Sequence, residues 1–302
     1  MNKPRRPPRR RVDGVVLLDK PLGVTSNAAL QKLRWLFNAA KGGHTGTLDP
    51  LATGLLPLCL GEATKFSSEL LDADKAYRAT VRLGVVTATA DAEGAVLETR
   101  PVTVGEADMR AALPAFLGRQ LQVPPMYSAL KRAGVPLYEL ARQGIEVERA
   151  PREICIHAIE FLGAADDCFE IEVSCSKGTY IRTLAADIGS ALGCGAHLAA
   201  LRRIRVGRLE LADAVTLEQI EAMPAQQRDS LLMPVDALLA GLPQVELDAD
   251  AAQRICHGQA LRREGLPGSR CRMFAGPRFI GVGVYADDGL LLPQRLVATS
   301  ST

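Results

Sequence analysis

The chain has 302 residues and a net charge of +2, and 47% of its residues are apolar against 23% charged. These proportions are ordinary for a globular protein and exclude a disordered, collagen-like or coiled-coil chain. Aromatic residues make up only 4%, which argues against a single-strand binder built on rows of stacking rings.

The charge is distributed unevenly along the chain. Residues 1–12 carry six cations and no acid, so residues 13–302 sum to −4. We expect residues 1–12 to form a basic disordered tail. Such a tail either contacts RNA or another polyanion or serves only as a solubilising end.

Cysteine and histidine spacing indicates no metal site. None of the seven cysteines forms a Cys-x-x-Cys pair, and none of the four histidines lies at ligand spacing from a cysteine. No run approaches the roughly 20 apolar residues of a membrane span. We therefore expect a reduced, cytoplasmic protein without membrane contact, whose thiols are small core residues.

Short apolar runs and one amphipathic helix make up the first part of the body. Residues 14–18 predict a buried strand, and Ser26 is the expected cap of a helix that ends near residue 39. Residues 41–54 predict a glycine-rich loop that leads into a strand at 55–60. The alternation of apolar and polar residues over 77–85 predicts a half-buried strand.

The middle of the chain mixes helical and strand patterns without regular alternation. We predict helices over about 105–117 and 182–192 and strands over 169–175 and 202–211. Residues 122–153 hold four prolines and several basic residues, which indicates an excursion from the sheet with one short helix near residues 137–142.

The end of the chain has the pattern of a small β module. A short helix near 249–256 is followed by strand-like segments near 270–274, 279–285 and 290–296. The mixture favours the α+β class over a doubly wound sheet. We expect a main domain over 13–245, with an insertion at about 122–153, and a small domain over 246–302.

One segment has the composition of a reactive site. Residues 43–54 read GHTGTLDPLATG, and Asp49 is the sole acid between Lys20 and Gly61 among four cations. Glycines let the backbone approach a ligand closely, and an aspartate among cations stays ionised, as a nucleophile or base must. The alternative is a simple turn in which Asp49 caps nearby amides. Nucleotide-binding, metalloprotease and serine-hydrolase motifs are absent from the sequence.

Further segments occur with it in a fixed order. They are 19–26 (DKPLGVTS), 75–79 (KAYRA), 124–131 (PPMYSALK), 177–184 (KGTYIRTL), 201–203 (LRR) and 233–236 (MPVD). Together with residues 43–54 they resemble the TruB family of tRNA pseudouridine synthases, collinearly over roughly 14–240. One departure is Thr87-Ala88-Thr89, where the family usually has Thr-Asp-Thr, and we expect it to leave the catalytic core untouched.

The resemblance implies a function and a catalytic set. It implies isomerisation of uridine-55 to pseudouridine in the T arm of tRNA, by base flipping and without a cofactor. Asp49 is then the nucleophile, Arg182 holds it ionised and oriented, and Tyr77 stacks on the target base and takes part in proton transfer. The residue types alone also allow a surface arginine at Arg182 and a core aromatic at Tyr77.

The resemblance implies a substrate-binding set as well. His44 would stack within the RNA where the flipped base leaves a gap, and Tyr180 would line the pocket wall. Lys20 would support the site or contact a phosphate, and Lys131 and Arg132 would track phosphates of the T-arm stem-loop. The alternatives are an isolated exposed histidine for His44, core packing for Tyr180 and an ordinary salt bridge for Lys20. For Lys131 and Arg132 the alternative is a solvated charged surface.

The implied fold is the mixed, mainly antiparallel sheet of pseudouridine synthases with flanking helices and a PUA-like C-terminal module. We expect a monomer without an obligate protein partner. Two other functions remain open: a tRNA-binding folding helper, and the catalytic subunit of a guide-RNA-dependent pseudouridylation complex.

Overall fold

The computed structural model describes residues 8–128, 130–132 and 134–298, without the side chains of Lys131 and Pro136. Residues 1–7 of the expected tail lie outside the described residues. Across the described residues, no helix is long and apolar enough to cross a membrane.

Strands dominate the described chain, with a few short helices between them. The strands are β1 (Gly14–Lys20), β2 (Gly42–His44), β3 (Ala52–Leu60), β4 (Lys75–Leu83), β5 (Val85–Thr87), β6 (Val96–Thr99), β7 (Gly118–Gln122), β8 (Lys131–Arg132), β9 (Val135–Pro136), β10 (Arg152–Ala165), β11 (Cys168–Cys175), β12 (Ala196–Val206), β13 (Leu209–Glu210), β14 (Val215–Thr216), β15 (Gln244–Glu246), β16 (Leu261–Arg262), β17 (Arg270–Ala275), β18 (Arg278–Tyr285) and β19 (Leu290–Leu296). The α-helices are α1 (Ser26–Leu36), α2 (Glu106–Ala112), α3 (Leu137–Arg142), α4 (Ile181–Ala191), α5 (Leu217–Ala222) and α6 (Ala249–Cys256).

A mainly antiparallel sheet organises the body. Its strands follow the order β14-β1-β3-β12-β4-β11-β10-β7, with β2 added beside β3 and β13 beside β12. The β14–β1 and β3–β12 pairs are parallel, and the other neighbours are antiparallel. The α+β class and the mainly antiparallel sheet predicted from the sequence are confirmed.

Strands β3, β12 and β4 form the middle of this sheet and position the segments of the candidate active site. Leu201 on β12 lies opposite Ala52 of β3 on one side and Ala79 of β4 on the other. Gly54 has a φ of +98°, and a Cβ there would overlap the backbone carbonyl oxygen of Arg203. Because glycine lacks a Cβ, β3 and β12 approach each other closely at this point.

Helix α1 begins one residue earlier than Ser26 predicts. Thr25 is the N-cap, and its hydroxyl accepts a hydrogen bond from the backbone N–H of Ala28. The helix ends at Leu36, and Leu30 and Leu33 pack onto the sheet. The hydroxyl of Ser26 is thereby free to bind another segment, as described below.

The second sheet has the order β15-β17-β18-β19-β16 and forms the C-terminal module. It is joined to the body by apolar and ionic contacts. Phe279 packs edge-on against Phe66 with ring centroids 5.6 Å apart, and Arg270 donates to both carboxylate oxygens of Glu69 at 2.7 and 3.0 Å. Strands predicted at 270–274, 279–285 and 290–296 correspond to β17, β18 and β19.

Two stretches differ from the sequence expectation. The strand predicted at 202–211 begins six residues earlier, at Ala196, and ends at Val206. Strand β10 was missed because few of its side chains are buried; Ile154 and Ile156 are the buried apolar residues that it contributes to the core. It is a strand because its backbone bonds to β11 and β7, which no local pattern reveals.

The described end of the basic tail is attached to the body. The backbone N–H of Arg10 donates to the carbonyl of Asn38, and its guanidinium donates to Asp229 at 2.7 Å. Val12 is 5% exposed and belongs to the core beside α1. Residues 8–12 therefore lie against the C-terminal end of α1.

Candidate active site

The glycine-rich segment forms a loop between β2 and β3 that helix α1 holds in place. The Ser26 hydroxyl accepts from the backbone N–H of Leu48 at 2.8 Å and donates to the carbonyl of Leu48 at 3.0 Å. The Leu48 side chain is buried in the core. Asp49 follows directly, so both a hydrogen-bond clamp and core packing fix its backbone.

Asp49 and Arg182 form an ion pair at the floor of a cleft. The distance from Arg182 Nη2 to Asp49 Oδ2 is 3.1 Å, with 7% of the arginine side chain and 46% of the aspartate side chain exposed. Arg182 is the second residue of α4, and its neighbours Ile181 and Leu184 anchor that helix in the core. The guanidinium is thus rigidly supported, while the carboxylate faces the cleft.

A second carboxylate, which the sequence analysis missed, also holds the guanidinium. Arg182 Nη1 lies 3.3 Å from Oδ2 of Asp91, whose side chain is 4% exposed. The arginine also donates to the carbonyls of Thr89 at 3.4 Å and Tyr127 at 2.6 Å. Both terminal nitrogens of the guanidinium therefore have partners.

The expectation that the 87–89 departure leaves the core untouched was wrong, because this segment contacts Arg182. The Thr89 hydroxyl donates to Oδ1 of Asp91 and the Asp91 carbonyl accepts from the Thr87 hydroxyl, so the segment is a compact turn. The sequence signal that could have identified this carboxylate was the acid at position 91, two residues after Thr89.

The environment of Asp49 shifts its ionisation in two opposing ways. Burial raises the pKa of the carboxyl above its usual value, and the charge on Asp91 adds to that rise. The cations Arg182 and Lys20 act in the opposite sense. The ion pair favours the carboxylate, the form a nucleophile requires, while partial desolvation makes it more reactive than a hydrated aspartate.

Two tyrosines and a leucine join this ion pair around one cavity. Tyr77 on β4, Tyr180 before α4 and Leu201 on β12 line it together with Asp49 and Arg182. Burial raises the pKa of both tyrosine hydroxyls. The arrangement offers two flat rings, one carboxylate and an apolar wall, which suits a planar polar ring.

His44 lies in a larger groove that opens beside this cavity. The groove is lined by Asp49 and Arg182 on one side and by Tyr138 and Arg142 on the other. His44 Nδ1 is enclosed without a hydrogen-bond partner among the described residues, and burial and the charge on Arg203 lower the pKa of its imidazole. The ring is therefore neutral at pH 7.

Lys20 lies beneath the loop and not on the surface. Its side chain is 0% exposed, and Nζ donates to the carbonyls of Pro21 at 2.9 Å and Val24 at 2.6 Å. Burial lowers the pKa of its ammonium to about 8, against the opposing effect of Asp49. In this position Lys20 supports the turn before α1 and the potential around Asp49, and an RNA phosphate would not reach it.

The basic excursion carries arginines, of which Arg142 lines the groove. Arg132 is exposed, and its Nη1 donates to the carbonyl of Glu148 at 3.1 Å. Arg142 on α3 stacks on the ring of Tyr138, with 5.5 Å between guanidinium and ring centroid. The side chain of Lys131 lies outside what the structure describes, so its predicted contact stays a prediction.

Three domain models match successive parts of the chain. Residues 34–181 match the model of the TruB family pseudouridylate synthase N-terminal domain, and 182–240 and 243–297 match two C-terminal domain models of tRNA pseudouridylate synthase B and pseudouridine synthase II TruB.

Curated relatives cover almost the whole chain. A tRNA pseudouridine synthase B of Aromatoleum aromaticum is 58% identical over 97% of this chain and 96% of its own length. The protein of the same name from Dechloromonas aromatica is 58% identical over 95% and 96%. Among solved structures, a chain of a Cbf5-Nop10-Gar1 complex is 25% identical, covering 99% of this chain and 90% of that chain with a TM-score of 0.71.

Proposed function

The chain belongs to the TruB family of pseudouridylate synthases, and from that premise we propose that Asp49 acts as its nucleophile on uridine-55 in the T arm of tRNA. The protein is a pseudouridine synthase, an isomerase that acts on tRNA. The position of the target uridine and the roles of individual residues are parts of the proposal.

The chemistry needs no co-reactant from outside the tRNA and water. The bond from N1 of uracil to the ribose breaks, a bond from carbon 5 to the same ribose carbon forms, and a proton leaves carbon 5 while N1 gains one. A carboxylate is suited to assist the first bond cleavage, and a base near the ring is suited to the proton transfer. Asp49 and Tyr77 line one cavity and supply these two groups.

The observation that carries the proposal is the ion pair between Asp49 and Arg182 at this cavity. Arg182 is held by Asp91 and two backbone carbonyls. It therefore orients the Asp49 carboxylate from a fixed position. Preorganised charge of this kind lowers the barrier, since little has to move during the reaction.

Chemistry on the uracil ring requires the target base to leave its stack. A uracil paired or stacked in the T loop would not reach Asp49, so the nucleotide has to be flipped outward. Tyr77 and Leu201 then hold the ring. His44, which lines the adjacent groove and whose pKa is lowered by burial, would stack where the base has left.

Arginines around the groove supply the electrostatic part of tRNA binding. The side chains of Arg132 and Arg142 would contact phosphates of the T-arm stem, and the same contact is predicted for Lys131. Raising salt from 50 to 200 mM should therefore weaken tRNA binding at least tenfold, and a flat response would remove the excursion from the interface.

A monomeric, cytoplasmic enzyme that acts on bare tRNA is the form we propose. The domain limits of 13–245 and 246–302, with an insertion at 122–153, belong to the same proposal. Modification of a transcribed T-arm stem-loop by the purified protein, without guide RNA or partner, tests it directly. A requirement for either would favour the guide-dependent alternative.

The decisive test replaces Asp49 by asparagine. Asp49→Asn should bind the stem-loop with unchanged affinity and form no pseudouridine, measured by mapping the modified nucleotide. Asp72→Asn is the matched control, since Asp72 is exposed and pairs with Lys177 away from the cleft. Turnover by Asp49→Asn would refute the nucleophile. Full function of this variant in tRNA refolding would support an additional folding role.

A further inference from the structure

A buried arginine without an acidic partner lies behind the cavity. Arg203 on β12 is 2% exposed, and Nε donates to the carbonyl of Leu55 at 2.7 Å. No carboxylate within the described ranges reaches its guanidinium, and Nη2 is buried without a hydrogen-bond partner there. Buried charges are nearly always paired, so an unpaired one calls for a functional explanation.

The ladder of the sheet brings this arginine to Tyr77. Arg203 and Tyr77 are directly opposite residues of the antiparallel β12–β4 pair, so their side chains leave the sheet on the same face. Gly46 of the catalytic loop lies on the other side, where a Cβ would be 3.8 Å from Nη1 of Arg203. The guanidinium thus sits between β3, the loop that carries Asp49 and the phenol of Tyr77.

Among the residues that the structure describes, no carboxylate forms an ion pair with this guanidinium. The cations Lys20 and Lys75 and the imidazole of His44 lie near it, and its charge contributes to lowering the pKa of each. The charged or ionisable groups that act on the pKa of the Tyr77 hydroxyl are Arg203, Cys175 and Asp49. Among these, Arg203 is the one that favours a negatively charged oxygen.

We propose that Arg203 is a positioning residue for Tyr77, which directs the phenol oxygen toward the cavity and stabilises the negative charge that the oxygen carries during proton transfer. The inference rests on the proposed function, in which Tyr77 moves a proton. Once carbon 5 is bonded to the ribose, the phenol of Tyr77 gives its proton to N1, and the resulting phenolate takes the proton from carbon 5, which restores the phenol.

Burial alone would make Tyr77 a poor base. Enclosure raises the pKa of its hydroxyl, because a phenolate in an apolar site loses its hydration. The nearby guanidinium opposes that rise. Burial lowers the pKa of Arg203 and Tyr77 acts in the opposite sense, and an arginine guanidinium keeps its charge near neutral pH. Leu55 and the strand backbone hold it in place, so its field on the phenol does not depend on tRNA binding.

A double-mutant cycle tests the coupling. Arg203→Met should lower the single-turnover rate about 10- to 100-fold, as expected for a lost charge-assisted interaction, with tRNA affinity unchanged. On a Tyr77→Phe background the same substitution should cost less than threefold. Equal losses on both backgrounds would overturn the proposal. Arg205→Met, on the same strand and bonded to Ser174, is the matched control.

A spectroscopic measurement separates positioning from mere folding. In protein labelled with carbon-13 at the tyrosine ζ carbon, the Tyr77 resonance should titrate at higher pH in Arg203→Met than in the parent, and Arg203→Lys should restore part of the shift. An unchanged titration in folded Arg203→Met would overturn the proposal. Full activity of Tyr77→Phe would instead refute the proton-transfer role, whatever the titration shows.

Discussion

Replacing Arg182 by lysine is the sharpest test of how the site is built. The substitution keeps the positive charge and most of the aliphatic stem, and it removes the planar fork. Arg182 uses that fork to reach Asp49 at 3.1 Å and Asp91 at 3.3 Å at the same time. A single ammonium nitrogen would satisfy one carboxylate well and leave the other poorly paired.

The structure sets the size of the effect. Losing one charged interaction costs about 1.5–3 kcal/mol, and Asp91, with 4% of its side chain exposed, would in addition keep a buried negative charge with a weakened partner. Misplacement of Asp49 by even a fraction of an ångström adds to this loss. We expect a total of about 3–6 kcal/mol, which corresponds to a rate about 10²- to 10⁴-fold lower.

The assay is single-turnover pseudouridine formation with saturating enzyme, beside tRNA binding by filter retention. Binding should stay within about threefold of the parent protein. Arg100→Lys is the matched control, since Arg100 forms a comparable two-pronged pair with Glu98 on the surface, where such pairs contribute little. A rate for Arg182→Lys within threefold of the parent would refute the bidentate role.

Three further predictions concern ionisation and backbone geometry. Because the pKa of Asp49 is raised, the reaction rate should fall on acidification at a pH above the ordinary aspartate pKa. For the same reason Asp49→Asn should have a melting temperature at pH 7 no lower than that of the parent. A lower melting temperature of the variant would contradict the raised pKa. The pKa of Lys20 is lowered to about 8, so between pH 8 and 10.5 the unfolded chain binds one more proton than the folded chain. The free energy of unfolding therefore rises with pH over this range, by up to about 3 kcal/mol. Urea unfolding of Lys20→Met should lack this part of the rise, and an identical rise would exclude Lys20 as its source. Gly54→Ala should lose about 2 kcal/mol more than Gly118→Ala, because both have positive φ but only at Gly54 would a Cβ meet the backbone of Arg203; equal melting temperatures would exclude that close approach.

Local patterns predicted the elements whose burial is periodic. Strand β4 alternates buried Ala79 and Val81 with exposed Arg78 and Arg82, and such a pattern is visible in the residues alone. Helix α3 likewise lies where the short helix was predicted, at Leu137–Arg142. Strand β10 was missed since its place depends on pairing with β7 and β11.

Sequence order placed Asp49, Arg182 and Tyr77 in one candidate site, although they are far apart in the chain. The distances in the structure are consistent with that grouping and add what no motif contained. Asp91 was missed because its position after Thr87-Ala88-Thr89 does not reveal that it is buried against Arg182. Lys20 was expected to support the site, contact a phosphate or form a salt bridge. It bonds to backbone carbonyls because the turn after β1 folds over it.

The sequence by itself determined the fold class, the chemistry-bearing residue types and the family. These follow from periodicity and from the order of short segments, which are properties of the chain. The tertiary structure alone decided which charges are paired and which are left alone: Arg182 has two carboxylates, whereas Arg203, also buried and basic, has none in the described chain. Pairing depends on which strands are neighbours, and the sheet order β3-β12-β4 brings together residues about 125 to 150 positions apart.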